Sequence, residues 1–193
     1  LTKRTNQSLV ESVFAFAKTI ELKDHYTGEH VERTVLYATK IARVLDLPED
    51  EIERIKQAAM LHDLGKIGIR EKILIKKLKL TKEEFEEIKN HPQIGAEIIR
   101  PIKFLHNIIP LILYHHERWD GKGYPNGLKG EQIPIGARIV AIADVYQALS
   151  SNRPYRKAYS EEEALKIIKR GSGTQFDPKV VSMFVQIMQH PGQ

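Results

Sequence analysis

Leu47–Lys66 reads LPEDEIERIKQAAMLHDLGK. Glu49, Asp50 and Glu51 sit where the partial positive charge of a helix N-terminus favours carboxylates. Gly65 is a stop signal. The stretch therefore predicts one helix ending at Gly65. Near its end, after the apolar Ala58–Leu61, stand His62 and Asp63. Adjacent helical side chains diverge by about 100°, so both reach one metal only at the edge of the helix face. Imidazole with carboxylate suits Mn, Fe, Zn and similar ions. Taken alone, the pair reads as an interfacial histidine capped by an aspartate.

Outward from this helix the chain stays helical. Upstream, Leu9, Val10, Val13, Phe14, Ala17 and Ile20 recur at helical spacing, and Val31, Val35, Leu36, Ala38 and Ile41 to Leu45 form a second stripe. Downstream, Thr81 with Glu84 and Ser160 with Glu163 are capping boxes, the second helix closing at Gly171. Asp177-Pro178 opens a last helix. GIREKILIKK, from Gly68, has the composition of a short strand, but no second strand is there to pair with it. Loops fall at Asp120–Pro134 and Gly171–Gln175. The fold class expected is all-α, a helical bundle.

The 193 residues suit one domain with a sizeable core. No apolar run approaches the roughly 18 residues of a membrane span. Leu1–Val10 is polar and holds two cations, unlike a signal peptide. A first residue other than Met points to a fragment with a domain upstream. Cysteine is absent, which excludes disulfides and thiolate ligands and fits a cytoplasmic setting. The net charge of +5 serves solubility or a phosphate-binding surface. No Lys/Arg block is dense enough for duplex nucleic acid.

Three further segments bring a histidine or aspartate to apolar helical sequence. Asp144 lies inside AIADVYQAL, where a carboxylate is costly unless it is paired or binds a metal; Arg138 or Arg153 is the alternative partner. His91 in KNHPQIGAEII stands where Pro92 begins a helix, which is also the place of a plain cap. His115 and His116 end the run IIPLILYHH. A mononuclear site takes three or four protein ligands, so this many candidates argue for two metals.

With its surroundings, the set resembles the HD-GYP family, a branch of the HD phosphohydrolase superfamily. The segments that carry the resemblance are YTGEHVERT, HDLGKIGI, NHPQIGAEII, HHERWDGKGYP, IPIGARIVAIADVYQAL, RPYRKAYS and GTQFDP, in order over nearly the whole chain. The resemblance implies an HD-domain helical bundle with a buried di-metal centre. It implies metal-dependent hydrolysis of cyclic di-GMP to linear pGpG, with GMP from a second round, through in-line attack of a hydroxide shared by the metals. The ligands it implies are His30, His62, Asp63, His91, His115, His116 and Asp144, with Asp63 bridging two divalent ions, Fe or Mn. Lys66, Arg153 and Arg156 fall on phosphate-contacting positions, Lys66 on the same face as His62 if the helix persists through Gly65. Tyr124, in the glycine-rich loop after His116, either meets substrate or packs the turn on the bundle. His25, His106 and His190 have no matched role.

Two positions depart from the family pattern. Tyr26 stands where members with three metals have a glutamate, so two metals are expected. Gln147 replaces a common aspartate three residues after Asp144, which threatens catalytic rate more than metal binding. The organisation expected is a connector helix over 1–22 and a catalytic domain over 23–193. A regulatory domain upstream, a GGDEF-type partner protein and a homodimer are the partner expectations beside cyclic di-GMP. The competing functions are a weakly active or inactive cyclic di-GMP sensor, hydrolysis of another cyclic dinucleotide such as cyclic GMP-AMP, and a phosphohydrolase for other nucleotides.

Overall fold

A computed structural model describes residues 12–19, 30–76, 78–152 and 156–189. The described helices are α1 (12–19), α2 (His30–Val44), α3 (Glu49–Leu61), α4 (Glu71–Leu74), α5 (Lys82–Ile88), α6 (His91–Ile99), α7 (Ile109–Leu113), α8 (Ile135–Ser150), α9 (Glu161–Arg170) and α10 (Pro178–Gln189). Short 3-10 turns link several of them, at Leu64–Gly68, Lys103–Ile108 and Gly130–Gln132. Tyr26, His25, Arg153 and His190 lie outside the described residues.

Helix α3 begins after Pro48 with its three acidic residues and buries Ile52, Ile55, Ala58, Ala59 and Leu61. It does not continue to Gly65, as its sequence predicts. Leu61 is its last helical residue, and Asp63 takes φ −95° and ψ 3° as the chain tightens into the 3-10 turn. The cause is a close approach. A Cβ on Gly65 would lie 1.8 Å from the His91 carbonyl oxygen and 2.5 Å from the Gly95 nitrogen. The turn thus sits directly on the start of α6, and only glycine fits there.

Helices α2, α3 and α8 pack on one another and form the centre of the bundle. Ala38, Ile41, Ile55, Ala58, Leu61, Ile139, Ile142 and Ala143 are fully buried between them. Each large side chain so buried contributes about 1.5–3 kcal/mol through removal from water. Alanines at the contacts let the helix backbones approach. Helix α10 closes one side with Phe184, whose ring meets Tyr146 at 4.8 Å and Tyr37 at 6.1 Å, both edge-on. Ala17 of α1 joins the same core.

Both capping boxes form as the sequence predicts. Ser160 Oγ accepts from the Glu163 N–H, and the Glu163 carboxylate accepts from the Ser160 N–H. Ser160→Ala is expected to cost about 1 kcal/mol. A chemical-denaturation midpoint equal to the parent's would contradict the capping role. The described residues of GIREKILIKK form no strand; they pass from the 3-10 turn into the short α4. An isolated β-bridge pairs Ser172 with Phe176. None of their helices is long and apolar enough to cross a membrane.

Candidate metal centre

His30 opens α2, His62 and Asp63 follow α3, His91 opens α6, His115 and His116 follow α7, and Asp144 lies in α8. Four of these distant elements contribute through their ends, and α8 through its interior. The side chains form two groups, His30–His62–Asp144 and His91–His115–His116, within each of which one ligand atom per residue lies within 4.8 Å of the others. Asp63 stands between them. Its Oδ1 is 3.5 Å from His91 Nε2, while its Oδ2 is 3.4 Å from His62 Nε2 and 3.8 Å from His30 Nε2. Asp144 Oδ1 is 3.4 Å from His30 Nε2 and 3.7 Å from His62 Nε2.

Hydrogen bonds behind the rings set their tautomers. The Nδ1–H groups of His62, His91 and His115 donate to the carbonyls of Ala59, Ile88 and Ile112, at 2.8, 2.7 and 2.6 Å. Each acceptor lies three residues earlier, as the last turn before the histidine presents it. A carbonyl only accepts, so Nδ1 carries the proton and Nε2 turns a lone pair inward. His91 Nε2 and His115 Nε2 therefore face each other at 3.4 Å, lone pair to lone pair. The buried His62 Nε2 makes no hydrogen bond. Facing lone pairs, an unsatisfied buried nitrogen and two carboxylates form a donor set that fits divalent cations.

For His91, His115 and His116 the electrostatics agree with that assignment. Burial lowers the pKa of His91 to about 3 and of His116 to about 4, neighbouring imidazoles and Lys66 adding to the effect, while His115 falls well below its ordinary value. At neutral pH these three are neutral ligands. For His62, burial lowers the pKa, but the Asp63 and Asp144 carboxylates outweigh it and push the pKa up to about 9. Burial raises the Asp63 pKa, yet Lys66 and the surrounding imidazoles hold it well below the usual carboxylate range.

These shifts predict a pH profile for protein stripped of metal by a chelator. Unfolded imidazoles take up protons near pH 6.5, whereas the folded His91 and His116 do so only near 3 and 4. Acid therefore favours the unfolded chain, and stability falls as pH drops from about 6.5 to 5. His62 acts in the opposite sense. Its contribution is complete below about 6.5 and is lost as pH rises through about 9. Melting temperature should peak near neutrality; a profile flat from pH 5 to 9 would contradict it.

The remaining predicted residues are placed differently from one another. Lys66 does not follow His62 on a continuous helix, yet its Nζ reaches Asp63 Oδ2 at 2.8 Å from the 3-10 turn. Tyr124 stacks on His116, with ring centroids 4.9 Å apart, and Lys89 Nζ lies 5.7 Å from the Tyr124 ring centroid. Arg156 donates to the carbonyls of Ala148, Leu149 and Lys157 and lies over the Tyr159 ring, so its described contacts cap the end of α8. Arg138 does not pair with Asp144; it binds Asp177 at 2.6 Å and stacks over Trp119. His106 donates to the Arg100 carbonyl, away from the cluster.

The loop after His116 is held by groups that sequence reasoning did not single out. The buried Glu117 accepts from the Asn126 N–H at 2.7 Å. Asp120 accepts from both Arg118 and the Lys122 N–H. Backbone bonds from Trp119 and Asp120 to Gln175 and Thr174 tie the loop to the turn before α10. Gly121 takes a positive φ of 78°, a conformation glycine adopts without strain. Gly123 has another reason: a Cβ there would lie 2.4 Å from the Arg118 nitrogen. Gln147 also acts at a place its sequence position only hinted at, since its side-chain oxygen meets His30 Nδ1. Three residues after Asp144, Gln147 falls on the same face of α8, but the partner across the bundle is not readable from spacing.

Comparison with known proteins supplies the context. The HD domain model matches residues 15–180. The chain is 42% identical over 178 residues to the cyclic di-GMP phosphodiesterase response regulator RpfG of Xanthomonas campestris pv. campestris, covering 91% of this chain and 47% of that protein. It is 38% identical over 178 residues to 3'3'-cGAMP-specific phosphodiesterase 2 of Vibrio cholerae, covering 91% of this chain and 34% of that protein. The chain thus spans less than half the length of these relatives. Among solved structures, a cyclic GMP-AMP-specific phosphodiesterase of V. cholerae, V-cGAP3, superposes with a TM-score of 0.75 at 24% identity, covering 95% of this chain and 49% of that one. That likeness speaks to the fold.

Proposed function

Because the chain belongs to the HD domain family, within its HD-GYP branch, we propose that it is a metal-dependent phosphodiesterase that hydrolyses cyclic di-GMP to linear pGpG, with GMP as the product of a second round. The observation that carries this reading is Asp63, whose two oxygens face two separate groups of imidazoles. His30, His62 and Asp144 would hold one divalent ion, His91, His115 and His116 the other, with Asp63 shared. The donor set of imidazole and carboxylate oxygen suits Fe or Mn. Such ions, when bound, supply Lewis acidity toward the phosphodiester oxygens.

The chain's own residues do the rest. The four Nδ1–H bonds hold imidazoles in fixed orientation, so little reorganisation accompanies the reaction. Lys66, mostly buried beside Asp63, puts a positive charge where a phosphoryl oxygen gathers negative charge. Arg153 is assigned to a second phosphate contact, with Arg156 able to contribute only the face not engaged by α8. Tyr124 stacks on the His116 ring. Residues 1–22 would serve as connector and 23–193 as the catalytic unit, with a regulatory domain or GGDEF-type protein as partner.

A second substrate has a specific observation behind it, the 38% identical relative named for 3'3'-cGAMP. One experiment tests both. Anaerobically purified protein, loaded with Mn(II) or Fe(II), is given cyclic di-GMP or 3'3'-cGAMP, and products are separated by chromatography. Metal-dependent pGpG or GMP supports the proposal. Cleavage of 3'3'-cGAMP alone replaces the substrate; no cleavage of either, with metal bound, overturns the activity.

A further inference from the structure

We infer that Gln147 is a positioning residue for metal at the His30–His62–Asp144 group, acting through His30. The inference rests on the reading of that group as a metal site. Among the four rings whose Nδ1 bonds are described above, His30 is the one met by a side chain, although His91 too opens its helix. The other three use the carbonyl three residues back. For His30 the acceptor comes instead from α8, one turn beyond Asp144, as the Gln147 Oε1. Gln147 is 1% exposed, and its Nε2 donates to Ser151 Oγ at 2.8 Å, one turn further on, so both ends of the amide are engaged.

The consequence is a choice of tautomer. With Oε1 on Nδ1–H, the His30 lone pair is on Nε2, which points toward Asp144 and Asp63. Asp144 and Gln147 share one face of α8, so a single helix supplies both a ligand to this group and the orienting contact for its neighbour. An amide does this without adding charge. The substitution that the sequence marked as a threat to rate is thus a working acceptor. It acts on the His30 half of the centre: in the other half the described contacts behind His91 and His115 are backbone carbonyls, and His116 stacks on Tyr124.

The test is a Mn(II) titration of the full chain, followed by the electron paramagnetic resonance signal of free Mn(II), with melting temperature in chelator as the check on folding. The parent binds two ions. Gln147→Leu, similar in size but unable to accept, should weaken one ion about 10–100-fold and leave the other unchanged. Gln147→Glu, which accepts again, should bind both at least as tightly as the parent. Parental binding by Gln147→Leu, or equal weakening of both ions, would overturn the inference. If Gln147→Leu does not fold, weakened binding by Gln147→Glu would overturn it. A parent that binds no Mn(II) would remove the metal-site reading itself, a result distinct from the others.

Discussion

Asp63→Ala should lower the turnover of cyclic di-GMP by about 10³-fold or more, while the protein remains folded. Among the described residues, Asp63 is the carboxylate within 4 Å of imidazoles from both groups. Its removal takes away the shared donor and leaves Lys66 without the partner that holds it 2.8 Å away. Loss of a single preorganised polar contact in an active site costs about 10²–10³ in rate. Loss of a shared ligand should reach the upper end, about 4 kcal/mol of barrier. Asp120→Asn is the matched control. It removes a carboxylate whose described partners are Arg118 and the Lys122 N–H, outside the cluster, and should keep most activity. An Asp63→Ala protein with parental turnover would end the account of the site.

Gly65→Ala should be the most damaging small substitution to the fold. The added Cβ meets two backbone atoms of α6, the His91 oxygen at 1.8 Å and the Gly95 nitrogen at 2.5 Å. No side-chain rotation relieves either contact, so the turn must move off the helix. Overpacking typically costs about 1–3 kcal/mol, and backbone-on-backbone contact belongs at the top of that range. At roughly 2–4 °C per kcal/mol for a chain of this size, the melting temperature should fall by about 6–12 °C. Metal affinity should fall with it, because Asp63 and His91 are carried by the two elements forced apart. Gly68→Ala sets the comparison. Its Cβ would meet only side-chain atoms of the half-buried Ile94, the nearest at 3.0 Å, and no backbone. It should cost less than about 1 kcal/mol. Equal melting temperatures for the two variants would contradict the close-approach argument.

Much of this was legible in the sequence because helix signals are local. Acidic first turns, two capping boxes and apolar stripes each depend on residues within four positions, and they predicted an all-α chain. The end of α3 was misread for a reason that is not local. Gly65 reads as a simple stop, but its role is set by His91, 26 residues later. The strand-like composition of Gly68–Lys77 likewise yielded to tertiary context, since no partner strand exists among the described residues. At the site, His62, Asp63, His91, His115, His116 and Asp144 stand out in the sequence because polar groups in apolar helices need a reason. The resemblance implied that Asp63 bridges two ions; which imidazoles fall on either side of it came only with the packing of α2, α3, α6, α7 and α8. Arg138 and Asp177 show the converse. Both are charged residues beside apolar helix, and they satisfy each other.

The most direct measurement of the central claim is anomalous diffraction from crystals of the chain loaded with Mn(II). The account predicts two peaks, one among His30, His62 and Asp144 and one among His91, His115 and His116, with Asp63 in contact with both. A single peak, or two peaks not joined by Asp63, in protein that still cleaves cyclic di-GMP would contradict it.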